Sequence, residues 1–148
     1  MDHIAILSER WHFEDKLKSG QKTIECRWYK KKYKPWNSIT EGDIIYFKKS
    51  GKYPITYKAT VSKVEQFENL NSDIIAKLFN KYGTAIGIEK SQIPSFIKDY
   101  KNRKYGIIIH IKDVESVNPF MIDKKGYGSG SAWLPVDNIE LIKADRIS

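Results

Sequence analysis

The run YGIIIHIKDV, residues 105–114, constrains the fold of this chain more than any other segment. Isoleucine fills four of the five positions 107–111. β-Branched side chains are restricted in a helix but pack well on a pleated sheet, so this run predicts a β-strand. Its apolar character on both faces predicts a strand at the centre of a sheet.

Further strands are predicted by apolar or alternating runs: IAIL at 4–7, KTIECRWY at 22–29, IIYFKK at 44–49 and YKATVSKVEQF at 57–67. In KTIECRWY, alternation places Ile24, Cys26 and Trp28 on one face. Thr23, Glu25 and Arg27 then lie on the other face. The segment ESVNPFMI, residues 115–122, is expected to be a bent or edge strand, because proline cannot donate a ladder hydrogen bond.

Apolar residues recur at the spacing of an α-helix in three segments, which are residues 9–20, 73–83 and 94–101. Strands therefore outnumber helices, and most are separated by short turns. This order favours an α+β fold, a small mixed and mostly antiparallel β-barrel with helices packed at its rim. The length of 148 residues suits one domain spanning residues 1–148.

The composition favours a polyanionic partner. The formal net charge is +8, which promotes binding to nucleic acid through counterion release. The excess of lysine is also typical of AT-rich genomes and thermophilic surfaces, so the charge alone leaves both interpretations open.

Several classes of protein are disfavoured. No apolar run approaches the roughly 20 residues of a membrane span, and the N-terminus lacks the pattern of a signal peptide, so we expect a cytoplasmic protein. Cys26 is the only cysteine, and His3, His12 and His110 are scattered. We therefore expect no disulfide, no metal site and no cofactor.

Three motifs carry a resemblance to a known family. The run KSGQKTIECR at 18–27, then EGDIIYF at 41–47 and ATVSKVEQF at 59–67, resembles the ASCH domains of the PUA-like superfamily. The resemblance covers the first seventy residues well and the rest by strand order. It implies a small β-barrel with a cleft between barrel and helix, and it implies binding of RNA or a nucleotide, with a modified base as one candidate ligand.

Lys22, Glu25 and Arg27 are the candidate polar ligands in this cleft. A carboxylate beside two cations stays ionised at neutral pH. Such a trio can bind a phosphate and also accept a hydrogen bond from an exocyclic amine. The alternative is a surface cluster of ion pairs that contributes little stability.

An enzymatic function is the second hypothesis. An acetylcytidine amidohydrolase among the ASCH relatives resembles this chain at Lys22, but its proposed nucleophilic threonine is matched here by Glu25. A carboxylate is a poor substitute for that hydroxyl, so we expect little such activity. A hydrolase of another modified nucleoside, or a metal-independent ribonuclease using Lys22 and a tyrosine, remains an alternative.

The run RWYKKKYKPW, residues 27–36, combines positive charge with large aromatic rings. Lysines can follow a phosphate backbone while aromatic rings stack on bases. The candidate ligands are Tyr29, Lys30, Lys31, Lys32, Tyr33 and Trp36. Trp28 lies on the same face of the predicted strand as Ile24, so it is more typical of a core residue. A solvated charged loop, or a loop that binds an acidic protein, is the alternative.

The glycine-rich run GYGSGS, residues 126–131, is a candidate anion nest that includes Ser129. It lacks the ending of a P-loop, and a lone glycine-rich run is a weak signal that a plain turn explains better. Trp133 follows this run. Its ring is expected either to form one wall of a base pocket or to fill the end of the barrel.

Overall fold

The structure, a computed structural model, describes residues 1–8, 11–124 and 132–144. The described residues form six strands: β1 (Asp2–Leu7), β2 (Ile24–Tyr29), β3 (Ile44–Lys49), β4 (Ile55–Phe67), β5 (Tyr105–Phe120) and β6 (Trp133–Val136). They also form three α-helices: α1 (Phe13–Ser19), α2 (Ser72–Ile86) and α3 (Ile93–Tyr100). Short 3-10 turns cover Lys90–Gln92 and Ile139–Ile142.

The six strands form one half-barrel sheet in the order β2-β5-β4-β3-β1-β6. Only β1 and β3 run parallel, and the other neighbouring strands are antiparallel. The predicted α+β fold, with a mixed and mostly antiparallel sheet, is therefore confirmed. β5 lies between β2 and β4, and Ile107, Ile108 and Ile109 have no exposed surface. The isoleucine run thus forms an interior strand, as its sequence predicts.

Two predicted boundaries differ from the structure. The segment 115–120 continues β5 and does not form a separate strand, because β4 is long enough to pair with it after several shifts of register. Helix α1 begins at Phe13, four residues later than the helical spacing indicates. His12 precedes it in the left-handed conformation, with φ of 55°, which a continuing α-helix does not allow.

Buried side chains form three clusters around the sheet. The concave face holds the half-barrel core, which includes Phe47, Ile107 and Trp133. Helices α2 and α3 cover the outer face near β2 and β5 through a cluster that contains Trp28 and Phe79. The 3-10 turn at Ile139–Ile142 covers the outer face near β1 and β6. This arrangement leaves β2 at one edge of the sheet, beside the helices.

A buried histidine joins β1 to β6 and to the turn before β3. His3 has no exposed surface, and its Nε2 lies 2.9 Å from Oδ2 of Asp43. Trp133 Nε1 donates to His3 Nδ1 at 3.1 Å, so Nδ1 must accept and the proton must reside on Nε2. Burial lowers the pKa of His3, although the hydrogen bond to Asp43 opposes the shift. Protonation of Nδ1 would place two donors face to face.

We predict that the free energy of unfolding falls as the pH drops below 6.5, the ordinary pKa of histidine. The unfolded chain then takes up a proton that folded His3 refuses, which amounts to about 1.4 kcal/mol per pH unit until the folded pKa is reached. The free energy of unfolding of His3→Gln should be measured with urea at several values between pH 5 and 7. Its slope against pH should be smaller than that of the wild type by the equivalent of one proton. The exposed His12→Asn serves as the control for the replacement of a histidine. Equal slopes in wild type and His3→Gln would contradict the assignment.

Candidate functional site

A cleft of about 420 Å³ lies along the edge of β2. Its other walls are the end of β1 with the segment that follows it, and the facing sides of α2 and α3. The volume falls in the range of roughly 300–1,000 Å³ that is typical of small-molecule sites. The residues that matter most for its chemistry are Trp11, Glu25, Arg27, Tyr29, Phe96, Tyr100 and Arg103.

The alternation of β2 positions the polar side chains of the cleft. Ile24 and Trp28 pack into the cluster under α2 and α3, with Cys26 against it, as the sequence predicts. Arg27 points to the opposite face, where its guanidinium carbon lies 5.2 Å from the centre of the Trp133 ring. Gly106 of β5 leaves room for the Trp28 ring, because a Cβ at position 106 would lie 2.7 Å from that ring.

Lys22 does not reach the cleft, in contrast to its predicted role as a ligand. Its side chain has no exposed surface, and its Nζ donates to the carbonyl oxygens of Ile24 and Ile86 at 2.7 Å each. The same Nζ lies 3.8 Å from Glu25 Oε1 and 4.5 Å from the centre of the Phe13 ring. Burial lowers the pKa of Lys22, and the charge of Glu25 opposes this shift. Lys22 therefore positions Glu25 and joins β2 to α1 and α2.

Glu25 is the central polar group of the cleft. It is only 4% exposed, and its Oε1 accepts from the backbone N–H of Cys26 at 2.9 Å. Its Oε2 is buried and has no hydrogen-bond partner among the described residues. Leaving such an acceptor unpaired costs about 1–3 kcal/mol or more, so the structure holds an acceptor ready for a donor that is not part of these residues.

The two arginines of the described residues, Arg27 and Arg103, line this same cleft. Each has a buried Nε without a partner among those residues. Arg27 Nη2 donates to the carbonyl oxygen of Ile6 at 3.4 Å, which closes the half-barrel between β2 and β1. The Arg103 guanidinium lies 5.4 Å from the centre of the Tyr100 ring. Three residues that line the cleft thus carry buried and unpaired polar atoms, which are one acceptor on Glu25 and one donor on each arginine.

Sequence reasoning missed Arg103, Tyr100 and Trp11. Arg103 is one of four arginines in a chain rich in lysine, which is a usable signal, but only the fold brings it to β2. Trp11 lies 4.5 Å from Phe96 between ring centres, and Phe79 stacks on Tyr100 at 6.0 Å. These rings give the cleft apolar walls.

Tyr29 and Cys26 line the cleft as protonated groups. Burial raises the pKa of Tyr29 to about 12, and its hydroxyl donates to the carbonyl oxygen of Lys34 at 2.6 Å. Burial also raises the pKa of Cys26 to about 11. Neither group is suited to act as a base at neutral pH. Because Lys22 is also held by carbonyl oxygens, this geometry does not support Lys22 and Tyr29 as an acid/base pair.

The basic loop, residues 30–34, leaves β2 beside the cleft and is held in an ordered turn. Lys30, Lys31, Lys32 and Tyr33 are exposed there. Asn37 and Gln66 join the end of this turn to β4 with hydrogen bonds of 2.7 and 2.8 Å. Trp36 is half-buried and packs edge-on against Tyr105, with 5.3 Å between ring centres.

Trp133 lies in the half-barrel core and not on the cleft wall. The ring has no exposed surface, and its Nε1 is bonded to His3. A ring in this position cannot stack on a base, so of the two expectations for Trp133 the structure supports the barrel filling. Ser129 and the rest of the glycine-rich run lie outside the described residues.

No protein-family model and no curated protein matches the sequence. The crystal structure of ASCH from Zymomonas mobilis matches with a TM-score of 0.66 at 16% identity, over 95% of this chain and 90% of that chain. The chain has an ASCH-like fold.

Two further solved structures are similar in fold to this chain. A mutant of the Zymomonas mobilis ASCH protein matches with the same TM-score of 0.66 and 16% identity, over 95% of this chain and 93% of the mutant. The N-terminal domain of Staphylothermus marinus McrB matches with a TM-score of 0.60 at 12% identity, over 91% of this chain and 87% of that chain. At these identities the likeness concerns the fold.

Within the described ranges, no helix is long and apolar enough to cross a membrane, and no group of three or more metal-binding side chains is assembled.

We predict that Trp133→Ala lowers the free energy of unfolding by about 3–5 kcal/mol, because it opens a cavity in the half-barrel core. Tyr33→Ala is the matched control, since that ring is 47% exposed and belongs to the surface of the basic loop. Its loss should change stability by about 0.5 kcal/mol or less. Thermal and urea unfolding of both variants measure the difference. Equal and small losses would return Trp133 to the surface of the protein.

Proposed function

We propose that this ASCH-like chain binds RNA or a nucleotide, with one unpaired base inserted in the cleft along β2. The observation that carries the proposal is the buried carboxylate oxygen Glu25 Oε2, which has no partner among the described residues and belongs to a side chain that lines the cleft together with Arg27 and Arg103. A base removed from its stack is typically held by hydrogen bonds to its edge and by aromatic or apolar side chains on its faces. The cleft supplies both kinds of contact.

The donors and acceptors of the cleft favour cytosine. Glu25 offers one unpaired acceptor, and the Nε atoms of Arg27 and Arg103 are unpaired donors. Cytosine presents an exocyclic amine followed by two acceptors, and carboxylates typically accept from this amine. Uracil has a carbonyl oxygen in place of the amine, which would face the carboxylate. Guanine presents two donors along the same edge and would leave one of them without an acceptor.

The charge of the basic loop supports binding of a polyanion. Lys30, Lys31 and Lys32 are exposed beside the cleft, and Tyr33 and Trp36 remain the candidates for stacking on this loop. Cations on an ordered turn can contact phosphates without the entropy loss of ordering a mobile segment. The Lys22 that an amidohydrolase function would require is enclosed by carbonyl oxygens, so we propose binding and not hydrolysis.

We predict that Glu25→Gln exchanges the base preference. Glutamine keeps the shape of glutamate, but its amide nitrogen replaces Oε2 and turns the unpaired acceptor into a donor. Affinity for cytidine monophosphate should fall about tenfold, and affinity for uridine monophosphate should rise. Calorimetric titration with each nucleotide measures both changes. The exposed Glu115→Gln is the control, with a side chain that is 60% exposed. Unchanged affinities in Glu25→Gln, with the fold intact by thermal melting, would reject the cleft as the base site.

We also predict that binding of a short RNA weakens as salt rises, with a negative slope of log affinity against log salt. The triple replacement of Lys30, Lys31 and Lys32 by alanine should reduce this slope by up to about 2, at about 0.7 per phosphate contact on a single strand. Fluorescence anisotropy of a labelled RNA hexamer at several salt concentrations measures it. A slope equal to that of the wild type would remove the basic loop from the binding surface.

A further inference from the structure

A second basic segment, residues 98–104, meets the basic loop at the mouth of the cleft. It covers the end of α3 and the turn into β5, and it contains Lys98, Lys101, Arg103 and Lys104. The backbone N–H of Lys104 donates to the carbonyl oxygen of Tyr29 at 3.0 Å. Tyr29 is the last residue of β2 before the basic loop and pairs with Tyr105 of β5. Backbone hydrogen bonding thus holds the two segments side by side.

The cations on these two segments are largely unneutralised. Lys30, Lys31, Lys101 and Lys104 are exposed. None of these four forms an ion pair within 4.0 Å in the part of the chain that the structure describes, whereas Lys16, Lys58 and Lys143 each pair with a glutamate. On the basic loop, Lys32 pairs with Glu68 only at the limit of 4.0 Å. The surface therefore retains its charge for a partner.

Both segments are continuous with the walls of the cleft. Tyr29 lines the cleft and leads into the basic loop, while Tyr100 and Arg103 line the cleft and belong to the second basic segment. A base inserted between them would leave its own phosphate at the mouth. The neighbouring phosphates on either side would then lie near one segment each.

We infer that the two segments form one phosphate-binding surface, and that the ligand is a single-stranded polynucleotide and not a free nucleotide. The inference rests on the proposed function, because the inserted base fixes where the strand crosses the mouth. A free nucleotide could use only the charges nearest the cleft, such as Arg103. A duplex keeps its bases stacked, whereas a single strand can turn one base into the cleft at low cost. An acidic polypeptide would match the charge but has no base to fill the cleft.

The test uses a double variant that carries both Lys101→Ala and Lys104→Ala. A second double variant, which carries both Lys52→Ala and Lys112→Ala, loses the same charge elsewhere and is the control. Lys52 and Lys112 are exposed, and both lie well away from Tyr105. Lys112 is seven positions further along β5, which corresponds to about 23 Å of strand. Lys52 lies in the turn before β4, whose first residue, Ile55, pairs with Phe120 at the far end of β5. The probes are a labelled cytidylate RNA hexamer and cytidine monophosphate.

The Lys101/Lys104 variant should bind the hexamer at least fivefold more weakly at low salt, with the slope against log salt reduced by about 1.4, or 0.7 for each lysine. Its affinity for cytidine monophosphate should stay within twofold of the wild type, and the control should match the wild type with both probes. The inference is overturned if the control loses as much hexamer affinity, if cytidine monophosphate binding falls in proportion, or if polyglutamate competes as well as RNA. If Glu25→Gln lost affinity for both probes while the Lys101/Lys104 variant kept its affinity for the hexamer, the inference would be overturned and only the base site would be supported.

Discussion

The fully buried amino group of Lys22 is the interaction on which the cleft depends. A charge without solvent is costly unless it is paired and hydrogen-bonded, and here two carbonyl oxygens, an aromatic face and the carboxylate of Glu25 surround it. These partners belong to β2, α1 and the last residue of α2, Ile86. Removing one partner from a buried charge typically costs about 3–5 kcal/mol, so the surrounding elements are held in one arrangement. The position of β2 relative to the helices, and hence the shape of the cleft, follows from it.

Arg27 gives the second constraint, because it joins the two open edges of the half-barrel. The strand order ends at β2 on one side and β6 on the other, and the guanidinium of Arg27 reaches the carbonyl oxygen of Ile6 in β1 and the ring of Trp133 in β6. Trp133 is in turn fixed by His3, whose Nε2 lies against Asp43. Contacts inside the core therefore set the orientation of the Arg27 side chain, which lines the cleft. A guanidinium suits this task, since it can stack on a ring and still present unused N–H donors.

The alternation of β2 was the part of the site that sequence could predict, because the period of a strand decides which residues share a face. It correctly separated Ile24 and Trp28 from Arg27. The burial of Lys22 could not be predicted, since a lysine beside a turn is normally exposed and one of its two carbonyl acceptors, Ile86, comes from α2, 64 positions later. Trp133 was undecided for the same reason, as its partner His3 lies at the other end of the chain. Arg103 reaches the cleft only because β5 pairs with β2, a long-range contact with no local signature.

The cleft carries unused polar groups that the fold itself does not need. Glu25 Oε2 and the Nε atoms of Arg27 and Arg103 are buried without partners among the described residues, although each buried polar atom left unpaired typically costs about 1–3 kcal/mol. Because Lys22 and the backbone N–H of Cys26 fix only Oε1, the second oxygen is held in place at no further conformational cost when a ligand arrives. In the proposed complex, discrimination would follow from desolvation, because a base with a carbonyl in the amine position would leave this acceptor buried and opposed by another acceptor. A site built in this way rejects the wrong edge more strongly than it attracts the right one.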